Sequence, residues 1–254
     1  MIKLSVITIN YNNKKGLEKT VQSVLEQEFR DFEYIVVDGA SDDGSRDVIK
    51  AHEDRISKWV SEKDSGIYNA QNKGLAMAGG DYCLFLNSGD LLADKQVLRK
   101  VFSEERKEDI LYGDMLVDWG GGKITHEKMH RKVGLYEMYT DTIWHPSAFI
   151  RRSLFEKYGN YDERYRIVAD YEFFFRAVIA HKASLNYLPY PVAVFGFNGT
   201  SSLPENKGKE KAEREQVWKT YMSAAEISAM QKQLEKATAK KRTLFYRIVN
   251  KLKG

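Results

Sequence analysis

The sequence predicts an α/β fold in which a mostly parallel central sheet is flanked by helices and followed by a C-terminal helical extension. Three observations carry this. Short apolar runs alternate with segments of helical periodicity from residue 3 to about residue 105, the pattern of βαβ units. Several of those runs stop abruptly on Asn, Asp or Gly. The last fifty or so residues change character, becoming charged and then basic, with apolar residues near helical spacing.

The elements follow in order. "KLSVITI" (3–9) reads as a strand. In "KKGLEKTVQSVLEQ" (14–27), Leu17, Val21, Val24 and Leu25 share one helical face. "EYIVVD" (33–38) is a strand ending at Asp38-Gly39, and a short helix through Val48 and Ile49 follows the "SDDGS" turn. "SKWVSE" (57–62) is a third strand, "GIYNAQNKGLAMA" (66–78) a helix, and "DYCLFLN" (81–87) a fourth strand. "DKQVLRKVFSEE" (94–105) reads as a helix with Asp94 as N-cap. "DILYGDMLVDWGGGKITHE" then gives strand, Gly-rich turn and strand. "ADYEFFFRAVIA" (169–180) is a helix with its phenylalanines in the core, and "SLNYLPYPVAVF" gives short edge strands interrupted by Pro189 and Pro191. "LPENKGKEKAEREQ" reads as a charged, mobile stretch. The expected domains are 1–203, with halves meeting near 114/115, and a tail over 204–254.

Composition narrows the class. The chain has 254 residues, 43% apolar and 30% charged, which is globular rather than disordered. One cysteine, Cys83, excludes an internal disulfide framework and a cysteine-rich zinc site. It also fits a reducing cytosol. "MIKLSVITIN" reads as a strand rather than a signal peptide, and no run is apolar enough to span a bilayer. From Lys232 onward eight basic residues face one acid, a net of +7; the total of +4 leaves the rest at −3. A mildly acidic body gives no ground for nucleic acid as a partner.

In an open α/β sheet, ligands bind beyond the carboxyl ends of the parallel strands. Those ends are Thr8 and Asn10, then Asp38, then Asp64, then Asn87 to Asp90. Carboxylates crowded on one rim repel one another unless a cation or donors compensate. A divalent cation, Mn²⁺ or Mg²⁺, with a diphosphate satisfies that need. "NYNNKKG" after the first strand contains neither a dinucleotide fingerprint nor a Walker lysine. That disfavours a dehydrogenase or a P-loop NTPase.

The stretches "VITINYNNKKGLEKTVQSVLEQ", "YIVVDGASDDGS", "SEKDSGIYNAQNKGLAMAGGDYCLFLNSGD" and "ADYEFFFR" together resemble the family 2 glycosyltransferases of the GT-A fold, over roughly residues 3–202. The resemblance implies inverting transfer of a sugar, of hexosyltransferase type, from a nucleotide-sugar donor, most often a UDP-sugar. The acceptor would be a hydroxyl of a glycan or lipid-linked molecule, in the setting of bacterial surface polysaccharide. It places Asp38 at the nucleotide and Asp64 at the base; Thr8 and Asn10 from the strand ends, and Asn72, are expected to join them at the nucleotide. Asp90, closing "NSGD", falls at the metal ligand, and Asp170 in "ADYEF" at the catalytic base. Inverting displacement needs a base for the acceptor hydroxyl and a cation for charge on the departing diphosphate. The chain departs from the family pattern at three points. "NSGD" has one acid where many members have two, Ala169 stands where Glu is common, and Gln71 stands where Arg often contacts the base.

Plainer readings stand beside these. Asp90 is also a turn residue and Asp170 also an N-cap. Glu172 is a rival base. His145 in "WHPSAF" is a structural histidine or, with Glu172, an acceptor or phosphate contact. The basic tail is a solvated helix, or an amphipathic one laying Leu244, Phe245, Ile248, Val249 and Leu252 on an anionic membrane. The second alternative would place the protein at the inner face of that membrane. Two other functions remain open: a sugar-1-phosphate nucleotidyltransferase, and a non-catalytic nucleotide-binding or scaffold module.

Overall fold

The computed structural model describes residues 2–196 and 206–252, with side chains of the final helix only to Ala239. The expected α/β architecture is present. Strands β1 (Leu4–Asn10), β2 (Phe32–Asp38), β3 (Lys58–Ser61) and β4 (Tyr82–Phe85) form a parallel block in the order β3-β2-β1-β4. Helices α1 (Lys14–Leu25), α2 (Ser45–Ala51) and α3 (Ile67–Met77) make the crossovers. Every residue of β1 is buried. Leu4 and Val6 enter a core shared with Leu17, Val21 and Ile49 of α1 and α2, while Ile7 enters the opposite core with α3. That two-sided burial explains why the strand reads as an unbroken apolar run rather than an alternation.

Beyond β4 the sheet becomes mixed. After β5 (Leu91–Leu92) and α4 (Val97–Val101) come β6 (Ile110–Asp118) and β7 (Ile124–Glu127). Helix α5 (Leu135–Thr140), β8 (Ala148–Arg151) and α6 (Arg152–Tyr158) follow. β8 inserts antiparallel between β4 and β6. Two antiparallel steps turn β6 parallel to β4 again, so its carboxyl half points to the same rim as the first block. Helix α4 is shorter than its sequence pattern suggests, and its N-cap is Gln96 rather than the expected Asp94. Asp94 instead accepts from the Gln96 N–H at 2.7 Å in the turn before the helix.

Helix α7 (Ala169–Phe174) continues as a π-helical segment, Phe175–Ala180, with Phe173, Phe174 and Phe175 fully buried. β9 (Leu185–Gly196) is one twelve-residue strand between β6 and the short β5, not a set of broken edge pieces. Its prolines are tolerated because the register to β6 jumps from Gly113↔Leu188 to Asp114↔Pro191. A bulge there removes the need for a ladder N–H.

The charged stretch after residue 203 also differs from expectation. Residues 207–221 form α8 (Lys207–Tyr221), docked on the core through Val217 and, just beyond it, Met222. Helix α9 (Ala224–Leu252) follows. The proposed 203/204 boundary, and the side chains of the membrane-contacting reading, lie outside the described residues. Among those described, no helix is long and apolar enough to cross a membrane.

Candidate nucleotide-binding rim

The carboxyl rim of the parallel block begins with a row set by register. Asn10, Asp38 and Ser61 are direct neighbours across β1, β2 and β3. Paired residues on adjacent parallel strands point to one face and stand about 4.8 Å apart. Asp38 is fully buried and uses both oxygens. Oδ1 accepts from Asn10 Nδ2 at 2.8 Å and from the Ser41 hydroxyl at 2.5 Å. Oδ2 accepts from the Ser41 N–H at 2.9 Å and from the Ser61 hydroxyl at 2.7 Å. Burial alone would raise its pKa, but the donors from Ser41, Ser61 and Asn10 outweigh it and hold the carboxyl below its ordinary value.

Asn10 carries the row toward β4 by accepting from the Ser88 hydroxyl at 2.8 Å. Helix α1 builds the 87–90 turn. Asn13 donates to Ser88 O at 3.0 Å; the Thr20 hydroxyl receives the Gly89 N–H at 2.9 Å and donates to Asp90 O at 2.8 Å. Gly89 sits at φ +108°, a conformation that side chains resist. The turn buries Asp90 to 8% exposure. Burial pushes its carboxyl up to about 7, opposed only by the Asn87 backbone N–H. A carboxylate desolvated to this degree, whose burial is opposed by a backbone N–H rather than by a basic side chain, fits a ligand to a divalent cation. Among the described residues no group of three or more His, Cys, Asp or Glu could hold a metal. Asp90 would therefore be the protein's contribution, with phosphate oxygens and waters completing the shell.

On the other side of Asp38, Gly39 permits a close approach. A Cβ there would lie 2.7 Å from Asp64 Oδ2 and 3.1 Å from Tyr11 Cδ2. Asp64 is steadied by the Gly66 N–H at 2.9 Å. Tyr11 is 69% exposed, so its ring stands free of the core at the strand end. Tyr11 is absent from the residues expected at the nucleotide, although an aromatic directly after a strand-ending Asn is a readable signal for a stacking surface.

Helix α3 links this rim to Asp170. Tyr68 and Gln71 are one turn apart and share a face. The Tyr68 hydroxyl lies 2.8 Å from Asp170 Oδ1 and 2.6 Å from Ile167 O. Gln71 donates to Asn87 Oδ1 at 3.1 Å, inside the turn that carries Asp90. Adjacent turns of one helix therefore touch the base candidate, Asp170, and Asn87, which opens the turn carrying Asp90. Burial, and next the charge of Asp170, raise the Tyr68 pKa well above its ordinary value, so Tyr68 stays a donor.

Several expected site residues hold structural positions instead. Thr8 lies on the Asn10 face but two residues deeper, and accepts from the Tyr34 hydroxyl at 3.1 Å. Asn72 donates to Tyr161 O at 3.0 Å and to Glu163 at 2.9 Å, and accepts from the Tyr161 N–H at 3.1 Å. That amide pins the 161–163 loop rather than facing the rim. Glu172 is buried in an ion pair with Arg176 at 3.0 Å and accepts from the Tyr221 hydroxyl. His145 meets the Tyr161 hydroxyl at 2.7 Å and stacks on Phe85. Burial lowers its pKa against the opposing charge of Asp170, which keeps the ring neutral. A cleft of about 570 Å³ near Asp109, Tyr158 and His181 opens at the amino ends of β6 and β9. It lies on the opposite rim, away from these acids.

Comparison with known proteins gives a consistent result. The model of glycosyl transferase family 2 matches residues 5–167. An uncharacterized glycosyltransferase of Mycobacterium tuberculosis is 34% identical over 190 residues, covering 69% of each chain. TarS of S. aureus (residues 1–349), in complex with UDP-GlcNAc, superposes with a TM-score of 0.65. The identity is 22%, over 76% of this chain and 58% of that one. A mannosyltransferase of Pyrobaculum calidifontis, in complex with GDP-Man and Mn²⁺, gives a TM-score of 0.59 at 16% identity over 84% and 60%. At these identities the structural likenesses concern the fold.

Proposed function

This chain belongs to glycosyl transferase family 2, and we propose that it is an inverting enzyme that moves a sugar from a UDP-sugar to a hydroxyl of a glycan or lipid-linked acceptor. The observation that carries the reading is the continuity of the rim. Asp64, Gly39 and Asp38 adjoin, and Asn10 and Ser88 lead from Asp38 to the turn holding Asp90. In this assignment the base stacks on Tyr11 and bonds Asp64, the ribose lies at Asp38, and the diphosphate lies over residues 87–90. A divalent cation at Asp90, when bound, offsets charge growing on the departing diphosphate. The mannosyltransferase in complex with GDP-Man and Mn²⁺, and TarS in complex with UDP-GlcNAc, support a nucleotide-sugar donor and a divalent cation.

Asp170 takes the proton of the acceptor hydroxyl as its oxygen attacks the anomeric carbon. The bond from that carbon to the phosphate oxygen breaks, and the diphosphate leaves with the electron pair. Tyr68 lies 2.8 Å from Oδ1 of Asp170, and in this assignment the other oxygen, Oδ2, takes the proton. Geometry in which the attacking and leaving oxygens lie on opposite sides inverts the anomeric centre. The test is incubation with UDP-sugars and a panel of hydroxyl acceptors, reading UDP release and product configuration by NMR. The expected product from an α-linked donor is β-linked. An α-linked product would reject the displacement, and transfer from GDP-sugars alone would reject the uridine assignment.

A further inference from the structure

Helix α8, like Asp170 itself, lies beyond residue 167, where the family model ends, and it grips the segment just ahead of Asp170. The Glu213 carboxylate receives three consecutive backbone N–H groups. Oε1 accepts from Arg166 at 2.9 Å, and Oε2 accepts from Ile167 at 3.0 Å and Val168 at 3.1 Å. These are the N–H groups just ahead of α7, whose second residue is Asp170. Ile167 is held through its N–H by Glu213, and its carbonyl lies 2.6 Å from the Tyr68 hydroxyl, sharing that hydroxyl's one proton with Asp170 Oδ1.

Docking of α8 has other anchors. Val217 is fully buried, and Trp218 stacks on Tyr139 at 4.3 Å and donates to the Tyr171 hydroxyl at 2.7 Å. Arg214 lies 4.0 Å over the Tyr171 ring. The Glu213 carboxylate bonds instead to the backbone just ahead of Asp170. Three donors converging on one carboxylate fix that backbone in a single conformation, since a charged acceptor strengthens each bond.

We infer that Glu213 is a positioning residue for sugar transfer, acting through Asp170 from a helix outside the family-matched region. The inference rests on the reading of Asp170 as the base. It makes α8 part of the catalytic structure, because a misplaced base loses rate far more than it loses donor affinity.

The test is a double-mutant cycle on the full chain. Glu213→Ala, Glu213→Gln, Asp170→Asn and both double variants are assayed for kcat, donor KM, UDP affinity and Tm. Glu213→Ala is expected to lower kcat about 10- to 100-fold while UDP affinity stays within about twofold. Glu213→Gln should recover part of the loss, because its amide oxygen still accepts. With Asp170→Asn already present, either Glu213 change should alter the residual rate by less than about twofold, since residues acting as a unit are not additive. An unchanged kcat in Glu213→Ala, or the same factor in both backgrounds, would overturn the inference. If Glu213→Ala does not fold, the Gln cycle decides alone. Full activity of Asp170→Asn by itself would reject the base assignment first, and this inference with it, whereas an inactive Asp170→Asn beside a fully active Glu213→Ala rejects only the inference.

Discussion

Asp170→Asn is expected to lower kcat by about 10³-fold while leaving donor binding intact, the scale of losing a positioned general base. Asn keeps the shape of the side chain, so its oxygen still accepts from Tyr68, but it takes no proton at neutral pH. The fold should survive, because Asp170 is only partly buried and supports α7 through one side-chain contact. The neighbouring acid offers no replacement. Glu172 is held by Arg176 and Tyr221, facing the core. Glu172→Gln should therefore reduce Tm more than kcat, the reverse of Asp170→Asn. Steady-state kinetics and thermal melts on the two variants separate these outcomes. A Glu172 variant that melts normally and is inactive would exchange their roles.

Asp38→Ala should cost both stability and donor binding. Removing the carboxylate strands Ser61, Ser41 and one donor of Asn10 in a buried site. A cost of about 3 kcal/mol follows from leaving such groups unsatisfied. At about 2–4 °C per kcal/mol for a chain of this size, Tm should fall by roughly 6–12 °C. Donor binding should weaken as well, since Asn10 also positions Ser88 and the turn beyond it. The pH dependence has a definite sign. The folded pKa of Asp38 is depressed by its donors, so its stabilisation is present above the unfolded carboxyl value near 3.9. It is lost as pH falls through the lower folded value. Asp38→Asn should therefore be less stable than wild type at neutral pH, with the gap closing in acid. A gap that stays constant down to about pH 2 would show that the donors do not act through the charged carboxylate.

The positions of the strand-end acids were legible because each sits where an apolar run breaks, and the carboxyl-end rule turns such breaks into a common rim. Depth was not legible in the same way. Thr8 and Asn10 share a face, but only the pairing with Tyr34 reveals that Thr8 lies one layer down. Asn72 shares a helix with Tyr68, yet its partners in the 161–163 loop are some ninety residues away and carry no local signal. Half of the Glu172 answer was available, since Arg176 follows at i+4, but Tyr221 lies far along the chain. Antiparallel β8 was hidden because a four-residue strand declares its partner only through nonlocal pairing. Helix α8 read as a mobile linker because its first two turns are almost wholly charged. The buried residues come late, in "VWKTYM", and Glu213 looks like one more surface acid until the 166–168 backbone is placed against it.

The measurement that tests the rim most directly is calorimetry of UDP binding with and without Mn²⁺, for wild type and Asp90→Ala. Wild type should bind UDP at least about tenfold, or 1.4 kcal/mol, more tightly with the metal present. Asp90→Ala should lose that increment while keeping the weaker metal-free binding that the proposed base contacts at Asp64 and Tyr11 would supply. An Asp90→Ala variant that retains the full Mn²⁺ effect would move the cation elsewhere, and a wild-type chain that binds no UDP would contradict the nucleotide assignment of the whole rim.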